Sequence, residues 1–223
     1  MAITTNNELK LAIANWLGRD ELTNRIPEFV ALAEDRIAPD LRVPAMETSQ
    51  VLLWKATTAV TTVGGTANAI TLTPSPAATA YALGDTYKFT AALSNTATAT
   101  VAVSGLSAIT VKRRHGGVKE NLSSGDIVIG SEYRVYYDGT DFLIVPPGGV
   151  PLPSNFLEQR RIYLDVSDDK PLDFFEANVF WTRNEANETA QPDIYTIEGD
   201  YIVVAPVPDT TYRGRLLYYR RFA

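Results

Sequence analysis

Cysteine is absent from all 223 residues, and histidine occurs once. Without cysteine there are no disulfides, no thiolate metal sites and no cysteine nucleophile. With one histidine, a zinc site would have to recruit carboxylates from elsewhere, and none is patterned for it. No charged-then-apolar leader opens the chain, and no apolar run approaches the roughly 18–20 residues of a membrane span. A basic excess is missing too: 26 acidic residues against 20 basic ones leave a net charge of −6. Proteins that grip DNA phosphates carry the opposite balance; acidic walls would repel phosphate and let a duplex slide past. Gly64-Gly65 and Gly148-Gly149 lack the strand–loop–helix context and the Lys-Ser/Thr ending of a phosphate loop. No G-x-S-x-G occurs, and a Ser–His–acid triad would have to use His115. Many carboxylate pairs are available for a hydrolase, but nothing favours one. The expectation is a protein with no catalytic residues, no cofactor and no metal, kept in a cytosol or in a particle assembled there.

What is present is a chain of two textures. Apolar residues make up 45% and charged ones 21%, enough for one large domain or two small ones. Residues 1–53 are rich in Leu, Ala, Glu and Arg and read as helix. Thr5-Asn6-Asn7-Glu8 fits a capping box, Leu9, Ile13 and Leu17 form an apolar stripe with Ala12 and Trp16 beside it, and Gly18 is placed to stop the helix. A second helix is predicted from Pro27, with Ile26, Phe29, Val30, Ala33 and Ile37 on its apolar face and Glu28, Glu34, Asp35 and Arg36 on its wet one. Pro39 should end it. Two helices this short need a partner for their stripes: each other, the 150–223 segment or a neighbouring subunit.

From Thr57 the pattern changes to short alternating runs. Ile70/Leu72, Tyr87/Phe89, Val101/Val103, Ile109/Val111, Ile127/Ile129, Tyr133/Val135/Tyr137 and Phe142/Ile144 each alternate with neighbours of the other kind. This predicts an antiparallel β domain, a sandwich or barrel of about six to eight strands, with Asp138-Gly139 at a hairpin turn. The Thr/Ala-rich patch at 94–102 is also read as strand. Pro146-Pro147-Gly148-Gly149-Val150-Pro151-Leu152-Pro153 is the clearest boundary, a semi-rigid strap excluding a helix and a central strand. Beyond it, strands are predicted at 161–166 and 171–175, a helix at 176–187, a hairpin of 194–198 and 201–205 around Gly199-Asp200, and a final strand at 212–220 with Tyr212, Leu216 and Tyr218 facing one way. The fold class expected is α+β: an N-terminal helical hairpin plus an antiparallel β segment (1–55 and 148–223), interrupted by an all-β domain (56–147).

Few residues stand out chemically. Lys112-Arg113-Arg114-His115-Gly116-Gly117 suits an exposed hairpin tip better than a nucleic-acid loop, because no aromatics interleave the basic residues. Asp165, Asp168, Asp169 and Asp173 lack the spacing and glycine of an EF-hand and read as a solvated turn. Tyr218-Tyr219-Arg220-Arg221-Phe222 is either a docking strand with a free edge for another chain or an edge strand with snorkelling arginines.

The flanks resemble the head-to-tail adaptor (connector) proteins of tailed bacteriophages. The N-terminal likeness is carried by Glu8-Leu9-Lys10, Asn15-Trp16-Leu17, Leu22-Thr23-Asn24-Arg25-Ile26-Pro27-Glu28-Phe29, Ala31-Leu32-Ala33-Glu34, Leu41-Arg42-Val43 and Ala45-Met46-Glu47-Thr48. The C-terminal likeness lies in Leu152-Pro153-Ser154-Asn155-Phe156-Leu157-Glu158, Pro192-Asp193-Ile194-Tyr195-Thr196-Ile197, Gly199, Pro206-Val207-Pro208-Asp209 and Leu216-Leu217-Tyr218-Tyr219. The middle segment resembles β modules of phage fibre and baseplate proteins, through Gly65-Thr66-Ala67-Asn68-Ala69-Ile70-Thr71-Leu72 and Tyr136-Tyr137-Asp138-Gly139-Thr140-Asp141-Phe142.

The resemblance implies a structural subunit of the virion neck, assembled in the host cytoplasm. Its copies would form a ring, usually a dodecamer, under the portal protein. That ring would extend the DNA channel without sequence-specific binding or contact with a membrane, and would dock the tail, nozzle or fibre proteins. The inserted β domain would face outward, so that deleting 58–147 leaves ring assembly intact. Pro39 and Pro44 fall where such proteins more often carry polar residues. Related chains continue past the Tyr-Tyr strand into helices that would complete the bundle begun by the first two. Candidate interface residues are Arg19, Arg36, Arg42, Tyr218, Tyr219, Arg220 and Arg221. The competing expectation is a receptor- or glycan-binding tail fibre or baseplate protein.

Overall fold

The computed structural model describes residues 3–18, 24–37, 40, 42–166, 170–183 and 188–221. Helix α1 (Asn6–Leu17) starts where the capping box predicts: the Thr5 hydroxyl accepts from the Glu8 N–H, and the Glu8 carboxylate accepts from the Thr5 N–H. Gly18 closes it at a left-handed φ of 59°. Helix α2 (Ile26–Ile37) follows, with Ile26 fully buried. Pro39 lies outside the described residues.

The helical reading of 1–53 fails after a single 3₁₀ turn at Pro44–Met46. Glu47–Trp54 forms strand β1, whose Leu52 and Trp54 alternate into a core. The strands that follow are β2 (Thr58–Thr66), β3 (Ala69–Pro74), β4 (Thr86–Thr90), β5 (Thr100–Val103), β6 (Ile109–His115), β7 (Val118–Asn121), β8 (Glu132–Tyr137) and β9 (Phe142–Ile144). Their order, β5-β3-β2-β4-β8-β9-β6, closes on itself because β6 pairs back onto β5. The result is a seven-stranded barrel, and β7 continues β6 outward as a hairpin.

Three pairs in it, β2–β4, β3–β5 and β6–β9, are parallel, so the barrel is mixed rather than antiparallel. Ile127/Ile129 is not a strand, and the strand expected at 94–102 is confined to 100–103. Both departures have one cause. Asn95, 1% exposed, holds the two loops together: its Nδ2 donates to the Ala97 and Ser123 carbonyls, and its Oδ1 accepts from the Ile127 N–H. A side chain that captures those backbone groups replaces a ladder.

After the barrel, β10 (Gly149–Pro151) lies within the proline strap as an edge strand, where a missing N–H costs no pairing. Next come β11 (Phe156–Leu164), β12 (Asp173–Phe174), α3 (Ala177–Arg183), β13 (Thr189–Ala190), β14 (Ile194–Glu198), β15 (Tyr201–Ala205), β16 (Val207–Pro208) and β17 (Tyr212–Arg220). The strands at 161–166 and 171–175 and the helix at 176–187 are present but displaced or shorter, and 184–187 lie outside the described residues. One sheet has the order β1-β17-β11, a second β10-β15-β14-β12, and β13 pairs with β16.

Two main cores result. One fills the barrel with Leu72, Phe89, Val101, Val111, Val135 and Phe142. The other lies between the two C-terminal sheets and contains Leu52, Trp54, Ile162, Leu164, Ile202, Val204, Leu216 and Tyr218. Tyr136, Leu143 and Val145 join this second core although Tyr136 and Leu143 sit on barrel strands. Strands β8 and β9 therefore bury both faces, one in each core. A smaller cluster of Phe180, Val203 and Ala205 seats α3 on β15.

The helical hairpin is covered least. Ala14 and Ile26 are buried between or beneath the helices, but Leu11, Trp16, Phe29, Leu32 and Ile37 are more than half exposed, Trp16 at 87%.

Candidate docking surfaces

Strand β17 decides what the C-terminal residues can do. It pairs with β1 along Tyr212–Tyr219 and with β11 along its other edge, so it is the central strand of its sheet. The free edge expected at the Tyr-Tyr end does not exist, because both rows of backbone groups are taken. Alternation then sends Tyr212, Gly214, Leu216 and Tyr218 inward, and Arg213, Arg215, Leu217 and Tyr219 outward. Tyr218, 4% exposed, stacks on Phe156 at 5.8 Å and donates to Asn155 Oδ1 at 2.9 Å. Burial raises its pKa. It belongs to the core, not to a surface.

Tyr219 lies on the opposite face, between two arginines. The Arg42 and Arg160 guanidinium carbons stand 5.7 and 5.5 Å from its ring centroid, within cation–π range. Arg42 Nε donates to Glu158 at 2.5 Å, Arg160 Nη1 to Glu47 at 2.6 Å, and the Tyr219 hydroxyl to Glu47 at 3.4 Å. Exposed ion pairs of this kind stabilise by no more than about 1 kcal/mol each, so the network orders the side chains more than it holds the fold. A β-bulge between Gln159 and Arg161 leaves both Arg160 and Arg161 exposed. The Tyr163 hydroxyl beside Arg161 raises its pKa further.

Along the outer face the cross-strand rows read Glu47–Tyr219–Glu158, Ser49–Leu217–Arg161 and Val51–Arg215–Tyr163, with Leu53 opposite Arg213. The surface is a short grid of tyrosine, aliphatic and arginine side chains, with Glu47 and Glu158 at one end and no lysine. Tyrosine and arginine are the residue types that concentrate binding energy at protein interfaces.

The other expected contacts fare differently. Arg36 is exposed in the last turn of α2, where a cation suits the helix dipole. Arg19, Asp168 and Asp169 lie outside the described residues. Arg220 and Arg221 are exposed at the end of β17, and the Arg221 N–H donates to the Asn155 carbonyl at 2.7 Å.

The basic run at 112–115 is a hairpin end as expected, but it is spent internally. Lys112 pairs with Asp141, and Arg113 with Glu120 and Asp126. Arg114 donates to the Leu152 carbonyl, and the Gly117 N–H to Asp200 at 2.9 Å. The hairpin thus clamps the barrel to the second core. Beside it a cleft of about 810 Å³ opens between the two, lined by Tyr133, Arg134, Pro146, Glu198, Asp200 and Tyr201 among others. Among the described residues no group of three or more His, Asp or Glu side chains is placed to hold a metal, and no helix is long and apolar enough to cross a membrane.

An exposed apolar helical hairpin, a rigid arginine–tyrosine sheet face and a basic loop consumed by internal bonds describe a structural protein that works by docking. Residues 4–149 match the family described as SU10 adaptor protein, and the chain belongs to that family of bacteriophage head-to-tail adaptors, structural proteins of the virion neck. The match runs through α1, α2, β1 and the whole barrel; the C-terminal residues 152–219 that resemble such adaptors lie beyond it. No curated protein matches the chain.

Proposed function

We propose that this chain is one of many copies in a ring, a dodecamer in the resemblance, seated under the portal protein. There it extends the DNA channel and docks the tail or nozzle. The observation that carries this reading is the α1–α2 hairpin: Leu11, Trp16, Phe29, Leu32 and Ile37 stand in water, and so many large apolar side chains exposed on one short hairpin favour a surface kept for a partner. The work is geometric and needs no catalytic residue or cofactor. DNA passes without sequence-specific contact, in keeping with the net charge of −6. Residues 56–147 act as an inserted domain within an adaptor domain formed by 1–55 and 148–223, and the barrel faces outward toward fibre or other tail proteins.

The test is sedimentation of the chain with the purified portal ring of its own phage. Co-migration near one copy per portal subunit is the expected result; no association would refute the reading. The deletion of 58–147 is less innocent than a graft would allow. It strips Tyr136, Leu143 and Val145 from the second core, so the shortened chain should assemble only under conditions where that exposed core remains folded.

The alternative, a receptor- or glycan-binding tail protein, draws on the cleft beside the β6–β7 hairpin, where tyrosines, prolines, arginines and carboxylates meet. Because Glu198, Asp200 and Tyr201 form one wall, only the full chain presents it. Binding of immobilised host polysaccharide by the full chain, without portal association, would favour that reading.

A further inference from the structure

The β1-β17-β11 sheet has two edges, and they are finished differently. Proteins blunt an exposed edge with bulges, charges, proline or a covering segment, because a bare row of N–H and C=O groups pairs readily with another extended chain. Strand β11 is finished in this way. Its pairing is broken by irregularities at Phe156/Glu158 and Gln159/Arg161, and it carries Arg160 and Arg161. Lys170–Leu172 then runs along its outer side: the Leu164 N–H donates to the Lys170 carbonyl, the Leu172 N–H donates to the Ile162 carbonyl, and Pro171 bridges to Tyr163. Strand β1 has none of these devices. Its register with β17 is unbroken from Glu47 to Trp54, it holds no proline, and its one charge is Glu47 at the end. In an antiparallel pair every second residue turns its backbone groups away from the partner strand. Among the described residues nothing bonds those groups of β1.

The open stretch is Glu47–Leu52. A barrel turn sets its far limit, since a Cβ at Gly84 would lie 3.2 Å from the Leu53 side chain. A stretch of that length spans about 20 Å. Glu47, Ser49, Gln50 and Val51 are exposed. On the outer face Ser49 and Val51 stand beside Leu217 and Arg215, and Leu53 stands beside Arg213. Neither Arg213 nor Arg215 forms an ion pair among the described residues. On the inner face Gln50 borders a groove of about 500 Å³ whose walls include Lys119, Asp138, Leu143, Ser154 and Tyr218.

We propose that the β1 edge takes up an extended segment of another virion protein as a fourth strand of this sheet, and that the segment carries carboxylates at alternate positions on its outward side. Edge pairing supplies the backbone bonds, and alternate side chains supply the selectivity. A strand added beside β1 lies two strand spacings, about 10 Å, from β17. The Arg215 side chain laid across Val51 meets a glutamate reaching back from the new strand, and Arg213 does the same across Leu53. The two arginines thereby gain the partners they lack within the chain. Side chains on the inward side of the added strand enter the groove beside Gln50. The β1 edge of a second copy is the poorer occupant: its one carboxylate, Glu47, is already held by Arg160 at 2.6 Å and by the Tyr219 hydroxyl at 3.4 Å. The contact gives the tail-side docking role a site and rests on that reading. An edge this short binds weakly by itself and gains strength from repetition around a ring.

The experiment begins in the assembled particle. Ser49, exposed at the edge, is replaced by the photo-reactive residue benzoylphenylalanine, and irradiated virions are digested for mass spectrometry. The expected cross-link is to a peptide of a different virion protein with acidic residues at alternate positions. A cross-link to a peptide of this same chain, to DNA, to a segment without that acidic pattern, or to nothing overturns the proposal.

The cross-linked peptide, made synthetically, is then titrated against the full-length chain. Gln50→Lys with Val51→Lys blunts the edge and should weaken binding about tenfold or more. Arg213→Gln with Arg215→Gln leaves the edge intact; it should weaken binding about tenfold and remove most of the salt dependence. Either double variant binding like the wild type overturns the proposal. All four positions are exposed, so both variants should keep the wild-type melting temperature. Should the edge variant melt early, Val51→Lys alone takes its place. Portal sedimentation separates the two readings: portal binding without the cross-link sinks this edge contact alone, and the cross-link without portal binding sinks the portal role alone.

Discussion

Leu143→Ala measures how far the barrel and the second core are one structure. Leu143 is 1% exposed; its strand closes the barrel, yet its side chain lies with Leu52, Trp54, Val150 and Leu216. Truncation removes three carbons, about 2.4 kcal/mol at ~0.8 kcal/mol per buried group. The cavity left between two sheets that cannot collapse adds more, giving about 3–4 kcal/mol, within the range of core leucine truncations. For a chain of this size that lowers the melting temperature by roughly 6–16 °C. Chemical denaturation followed by tryptophan emission is the assay. Trp54, 2% exposed in that core, supplies the blue-shifted signal, whereas Trp16 and Trp181 are exposed at 87% and 40%. The wild type should unfold in one transition and the variant in one shifted or two separated transitions. A loss below about 1 kcal/mol would mean the barrel is a loosely tethered graft and would refute the shared core.

Two further perturbations probe other parts of the same core. A Cβ at Gly214 would stand 2.6 Å from the Trp54 ring and 2.8 Å from the Tyr163 carbonyl, so Gly214→Ala should cost about 1–3 kcal/mol or more by overpacking the centre of the sheet; an unshifted melting temperature would contradict the placement of Trp54. Burial pushes the Tyr136, Tyr195 and Tyr87 hydroxyls up to about 12 from 10.0. Their folded values exceed the unfolded ones, so the stability they contribute is whole below pH 10 and drains away as pH rises toward 12, at up to ~1.4 kcal/mol per pH unit for each. Urea midpoints across that window should fall steadily, and tyrosines that all ionise at their ordinary pKa would refute the burial.

What could be read in advance depended on how local its cause was. The capping box at Thr5–Glu8, the stop at Gly18 and the Gly199-Asp200 hairpin are decided by neighbours in the chain, and all three stand in the structure. Strand β2, Thr58–Thr66, was hidden because its Thr, Val and Gly residues carry no clean period, and it follows β3 and β4 rather than its own propensity. Ile127/Ile129 had the period without the strand, since the partner for the Ile127 N–H is a side chain 32 residues away. Strand β1 looked like a continuation of the helices because Leu52, Leu53 and Trp54 suit either conformation. Its pairing with β17, more than 150 residues later, decides the matter.

The same distance rule explains the docking surface. Tyr218 and Tyr219 are adjacent and chemically alike, and sequence alone grouped them as one contact. The pleat assigns them to opposite faces, and only the presence of β1 and β11 on either side tells which face is wet. The arginines at 213, 215 and 161 carry no signal in the sequence for the complementary reason: each is unremarkable until register sets them beside Leu217, Val51 and Tyr163. The charge imbalance between 165–209 and 210–221 was open to reading from the sequence. Where those charges go was not, because it depends on register: residues 170–173 lie along β11, which brings Asp173 within electrostatic reach of Arg161, while Arg213 and Arg215 on the central strand face outward with Leu217.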